Sequence, residues 1–178
     1  MERQVHGFSF EKKFSLFEGL TLNDNYTGKN DAFKDNIPYQ IKYIKNNSSI
    51  DLGDYFRNSK KEKDFYLIIG FWEKEKDNVV AIYKLFIDKD KWNNLFNFSL
   101  KEELKEWISS VSNDYSYDKQ WKEEMNYFKK EWNKTKREVE LRFKRDHKTQ
   151  KRIQCAINKS NFFNYFLKEF YFWRVNMV

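Results

Sequence analysis

A chain of 178 residues with 20% aromatic content is the right size for one domain and carries enough Phe, Tyr and Trp to fill a core. Five glycines and one proline exclude a glycine-rich phosphate loop, a dinucleotide fingerprint and long flexible linkers. One cysteine, Cys155, excludes an intrachain disulfide and a cysteine-rich zinc site; with only His6 and His147 besides, a bound metal has to be held mainly by oxygen, which favours Mg²⁺ or a similar hard ion.

The first predicted element is a helix over residues 4–18, where Phe10, Phe14 and Phe17 recur at spacings of four and three. A polar stretch with Gly28 leads to the short segment Asp31-Ala32-Phe33, with a turn at Lys34 to Asn36. From Ile37 to Ile44 the pattern alternates: Tyr39, Ile41 and Tyr43 share one face of a strand, Gln40 and Lys42 the other. Ser48 or Ser49 caps a predicted short helix through about Asn58 that turns Ile50, Leu52, Tyr55 and Phe56 inward. Two apolar runs, Phe65–Trp72 and Val79–Ile87, read as strands, the first buried on both faces. The longer of such runs is far short of the ~20 residues of a membrane helix. With Met1-Glu2-Arg3-Gln4 opening no apolar signal segment, a cytoplasmic location away from any membrane is expected.

Asp88 starts a helical region, with Trp92 and Phe96 four apart, that runs with breaks to about Lys136. A strand pair follows, Val139, Leu141 and Phe143 alternating with charges and then Ile153, Cys155 and Ile157. Asn161–Trp173 is a last, aromatic helix. The sum is a single domain of mixed α/β class, a central sheet flanked by helices.

The charge is localised. Between Lys129 and Arg152 eleven basic residues stand against four acidic ones, an excess equal to the +7 of the whole chain. A basic segment on a neutral body suits a polyanion, because each neutralised phosphate releases counterions. Arg142, Lys144, Arg145, His147, Lys148, Gln150, Lys151 and Arg152, on and around the turn of the predicted hairpin, are the candidate DNA contacts; Arg can read guanine and Gln adenine.

Gln40 and Lys42 emerge on one face, and a turn after Asp31 brings a carboxylate alongside. Hydrolysis of a phosphodiester needs those types: an anionic oxygen to hold a metal, and a cation beside the attacking oxygen. Asp31, the Gln40 side-chain oxygen and the Ile41 carbonyl are the expected metal ligands, Lys42 the charge-stabilising group, and Glu11 an extra carboxylate. The bare spacing recurs at Glu11/Lys13, Glu103/Lys105, Gln120/Lys122 and Asp146/Lys148; only the pair at 40 and 42 sits in an alternating strand with Asp upstream and a buried strand downstream.

These residues carry a resemblance. The stretches Tyr26-Thr27-Gly28-Lys29-Asn30-Asp31-Ala32-Phe33, Pro38-Tyr39-Gln40-Ile41-Lys42 and Ile50-Asp51-Leu52-Gly53-Asp54-Tyr55-Phe56-Arg57, with the Glu11 helix and the strand Asp64–Trp72, make roughly residues 1–90 resemble the PD-(D/E)xK nuclease superfamily, in particular small type II restriction endonucleases. The resemblance implies a core of helix, three strands, helix and strand over 1–98, a helical and hairpin DNA-recognition part over 99–178, and Mg²⁺-dependent cleavage of double-stranded DNA by a homodimer matched to a palindromic site. Gln40 departs from the usual acidic residue, as in some restriction and Mrr-like nucleases, which implies weaker metal affinity with Glu11 compensating. Two other readings use the same residues: a structure-directed or repair nuclease, and a non-catalytic nucleic-acid-binding protein whose aromatic residues stack bases.

Overall fold

The computed structural model describes residues 2–23, 30–73, 78–111, 118–145, 151–166 and 173–174. Along the chain the elements are α1 (Glu2–Glu18), β1 (Thr21–Leu22), β2 (Ala32–Lys34), β3 (Ile37–Lys45), β4 (Ile50–Asp54), α2 (Tyr55–Asn58), β5 (Phe65–Glu73), β6 (Asn78–Ile87), α3 (Lys89–Leu95), α4 (Lys101–Ser110), α5 (Asp118–Lys134), β7 (Val139–Arg145), β8 (Lys151–Ile157), α6 (Lys159–Phe166) and β9 (Trp173–Arg174). A six-stranded sheet has the order β1-β2-β3-β5-β6-β9 and a three-stranded sheet the order β4-β8-β7. The larger sheet is mixed: β3 and β5 run parallel, and the other neighbours are antiparallel. The class is the predicted one, mixed α/β with a central mixed sheet flanked by helices.

The hairpin β2–β3 closes through Asp35 and Asn36, both at positive φ (51° and 62°), as a two-residue turn of the primed type requires and as Asp and Asn tolerate. Its register sets Ala32 opposite Tyr39. One step on, Asp31 N donates to Tyr39 O at 2.9 Å, which carries Asp31 to the level of Gln40.

Two apolar cores lie on the two faces of β5. Leu67, Ile69 and Phe71 face the larger one, shared with Ile44, Ile50, Leu52, Trp92, Trp132, Leu141, Ile153 and Phe162. Ile68 faces the smaller one under α1, with Phe10, Phe14, Ala32, Tyr39, Ile41 and Ile82. Phe14 is fully buried there, a contribution of about 1.5–3 kcal/mol from its ring alone. Gly70 allows α1 to dock closely: a Cβ at this position would lie 2.3 Å from the Phe10 ring, which instead stacks on Tyr43 at 4.6 Å.

Three expectations are corrected. The stretch predicted as a helix from Ser48 or Ser49 is a strand as far as Asp54, because Ile50 and Leu52 alternate with exposed Asp51 and β8 supplies the hydrogen-bond partner. Helix begins only at Tyr55, where the Asp54 carboxylate caps it by accepting from Arg57 N at 3.0 Å. Trp173, expected in a terminal helix, pairs in β9 with Lys84 of β6. Phe17 is 60% exposed; the buried stripe of α1 runs through Phe10, Phe14 and Ser15. β4 pairs with β8, so residues on both sides of position 98 contribute to one core.

Candidate active site

The alternation of β3 divides its side chains as predicted. Tyr39 and Ile41 go into the core under α1, while Gln40 and Lys42 emerge on the opposite face, level with Leu67 and Ile69 of β5. Gln40 is only 4% exposed and Lys42 half-buried, so this polar face is not a solvated edge. A buried amide demands partners, and Gln40 Nε2 donates to Asn58 Oδ1 at 3.1 Å.

Asp31 meets these two residues from β2. Its Oδ2 accepts from the N–H of Ile41 at 2.6 Å, so the carboxylate is seated on the residue between Gln40 and Lys42. Both main-chain groups of one strand residue project to the same side, so the Ile41 carbonyl is directed toward Asp31 as well, beyond the last paired residue of β2. Asn23 N donates to the main-chain carbonyl of Asp31 at 2.9 Å and fixes the backbone that carries the carboxylate.

Glu11 completes the group from α1, one residue beyond the docked Phe10. Burial raises its carboxyl, the Asp31 carboxylate raises it further and Lys42 offsets part of the effect, leaving it at about 7 from an ordinary 4.5. Glu11 therefore feels the charges of Asp31 and Lys42 from the α1 side of the sheet, while Asp31, bonded to Ile41 N, is the carboxylate seated beside Gln40 and Lys42. A half-buried carboxyl raised further by a second carboxylate is the situation a divalent cation relieves. Among the described residues no cluster of three or more His, Cys, Asp or Glu side chains suited to a metal occurs. An ion here would draw on Asp31 and Glu11, with the Gln40 and Ile41 oxygens; an all-oxygen set of this kind fits Mg²⁺.

Three residues around the site escaped the sequence reading. Asn58 and Lys61 are buried polar side chains linked at 3.4 Å, and Gly53, at φ 84°, has no room for a side chain because a Cβ would stand 2.7 Å from Asn58 Nδ2. A glycine directly after an apolar strand pattern was the available signal for Gly53. For Asn58 and Lys61 there was none, since both sit in the polar run Arg57-Asn58-Ser59-Lys60-Lys61 that reads as a helix end.

The basic segment divides differently. Arg142 and Lys144 are exposed on the outer face of β7, with Arg152 and Gln154 beside them on β8, and Arg142 pairs with Glu140 at 2.9 Å. Arg145 and Lys151 are corrected out of the DNA-contacting set. The Arg145 side chain is 4% exposed, bonded to Asp118 at 2.8 Å and laid 5.6 Å from the centre of the Trp121 ring, while Lys151 Nζ is held by the carbonyl of Val111. Their strand positions turn them inward with Leu141 and Ile153, so their charges serve packing. His147, Lys148 and Gln150 lie outside the described residues.

Compared with family models, curated proteins and solved structures, the chain matches none. No described helix is long and apolar enough to cross a membrane.

Proposed function

We propose that the chain is a Mg²⁺-dependent endonuclease of double-stranded DNA, cutting site-specifically in the manner of a type II restriction enzyme and acting as a homodimer. One observation carries this reading: the Asp31 carboxylate is bonded to the backbone between Gln40 and Lys42, with Glu11 raised to about 7 first by burial and then by Asp31. A half-buried carboxylate seated between a buried amide and a lysine, with a second carboxyl raised by burial, is a costly arrangement for stability alone. It suits a site that takes up a cation and a phosphate.

Mg²⁺ bound by such a set polarises the phosphate and acidifies water. The protein's own groups do the rest. Asp31, Glu11, Gln40 Oε1 and the Ile41 carbonyl supply oxygen ligands, and the Asp31–Ile41 bond keeps the carboxylate from swinging away. The Lys42 ammonium orients the attacking water and balances charge that develops on the phosphate. Arg142, Lys144 and Arg152, exposed on the outer face of the small sheet, suit contact with the DNA backbone.

The test is incubation of the purified protein with plasmid and phage DNA in Mg²⁺ or EDTA, alongside Lys42→Ala. Discrete fragments from the wild type in Mg²⁺, and none in EDTA or from Lys42→Ala, are expected. Cleavage confined to branched substrates would move the reading to a structure-directed nuclease. DNA binding without cleavage by any preparation would leave a binding protein.

A further inference from the structure

Gln40 presents a problem that a glutamate in its place would not. A carboxylate offers oxygen at both ends, whereas an amide turned the wrong way aims two N–H donors at a cation. A chain that relies on the amide oxygen therefore needs something to set the amide's direction.

Asn58 stands where that is done. Its Oδ1 accepts from Lys61 Nζ at 3.4 Å and from Gln40 Nε2 at 3.1 Å. An ammonium only donates, so the end of the Asn58 amide that meets Lys61 has to be the oxygen. The end of the Gln40 amide that meets that oxygen then has to be the NH₂. Direction passes from Lys61 through Asn58 to Gln40 and turns Gln40 Oε1 away from Asn58.

The relay is braced on two sides. From α3, Trp92 Nε1 donates to Asn58 O at 2.7 Å, Asn93 Oδ1 accepts from Lys61 N at 2.7 Å, and Asn93 Nδ2 donates to Lys61 O at 3.0 Å. Lys61 is 5% exposed, with its ammonium 5.1 Å from the centre of the Phe65 ring. From β4, Gly53 leaves the space that the Asn58 amide fills; a Cβ there would meet Asn58 Nδ2 at 2.7 Å and Lys42 Nζ at 4.0 Å. Buried on every side, the Asn58 amide has no alternative arrangement that keeps both of its donors.

We propose that Asn58 is a positioning residue that presents the carbonyl oxygen of Gln40 to a divalent cation, with Lys61 setting the direction. This rests on the Mg²⁺-dependent reading above. Calorimetric titration of the full chain with Mg²⁺ tests it without recourse to activity. Asn58→Ala should weaken Mg²⁺ binding roughly 10-fold or more, the usual scale for partners that orient a ligand. Asn58→Asp, which still accepts from both Lys61 and Gln40, should restore affinity to within a small factor of wild type. In the Gln40→Glu background, which has no wrong end, Asn58→Ala should cost little. Equal losses in the two backgrounds would mean that Asn58 merely supports the fold and would overturn the inference. Should Asn58→Ala fail to fold, Lys61→Met probes the relay from its far end; weakened binding is expected, and unchanged affinity overturns the inference. A wild type that binds Mg²⁺ with Asn58→Ala its equal overturns the positioning role alone. A wild type that takes up no Mg²⁺ overturns both this and the reading on which it rests.

Discussion

Strands β3 and β7 carry the same alternation of apolar and polar side chains, and the fold treats them in opposite ways. On β7 the polar residues Glu140, Arg142 and Lys144 remain in water, where charges are screened and geometry is loose. On β3 Gln40 lies buried beside Asn58 at the end of α2, and its amide NH₂ is tied to the Asn58 oxygen. A local pattern of two thus identifies a strand and its faces. Whether the polar face becomes a site or a solvated surface depends on what packs over it.

The largest expected effect separates the two regions by function. Lys42→Ala should lower DNA cleavage roughly 100-fold or more with binding retained, on the scale of losing one charge-stabilising donor. Lys144→Ala should leave cleavage at saturation unchanged and reduce the salt dependence of DNA binding by about one counterion. A Lys144→Ala protein that binds but fails to cut in quenched-flow assays would erase the distinction.

Next in size is a pair of glycines at positive φ, one against the site and one away from it. Gly53→Ala should cost roughly 2–4 kcal/mol, the left-handed backbone penalty plus displacement of Asn58. Gly19→Ala, at φ 64° with nothing within 4 Å, should show the backbone penalty alone, about 1–2 kcal/mol by denaturant unfolding. Comparable losses would show that the space beside Gly53 does not matter.

Within the basic segment the contrast is between inward and outward arginines. Arg145→Ala should destabilise by about 1–2 kcal/mol through loss of the Asp118 bond and the Trp121 contact. Arg152→Ala, on the exposed face, should stay within about 0.5 kcal/mol of wild type in the same unfolding assay. Equal stability of the two variants would return Arg145 to the DNA-contacting set.

The pH dependence gives the subtlest separation. The folded chain holds Glu11 near 7, against an ordinary 4.5 when unfolded, so folding favours its protonated form and that stabilisation is lost as pH rises through this window. Glu11→Gln should match wild type near pH 4 and exceed it by about 1–2 kcal/mol near pH 8 without metal, a figure discounted for partial exposure. Glu140→Gln, at an exposed pair with Arg142, should stay within about 0.5 kcal/mol at both pH values. Melting curves showing no pH-dependent gain for Glu11→Gln would mean that burial and Asp31 together do not hold the Glu11 carboxyl above its ordinary value.

Much of this was readable in the residues. The alternation of Ile37–Ile44 identified β3 and put Gln40 and Lys42 on one face, since strand geometry has a period of two whatever surrounds it. The apolar run at Phe65 marked a strand buried on both sides, and the turn after Asp31 announced a hairpin. Segments with mixed signals were decided by their partners. Ile50-Asp51-Leu52 suits either a helix or a strand until β8, a hundred residues later, offers its edge, and Arg145 is a surface arginine until Asp118 and Trp121 close over it. Periodicity acts between neighbours in the chain, so sequence could name the donors and acceptors of the candidate site. Burial and the direction of an amide arise between residues far apart in the chain, so the pairing of Gln40 with Asn58, and the burial that raises Glu11, belonged to the tertiary structure alone.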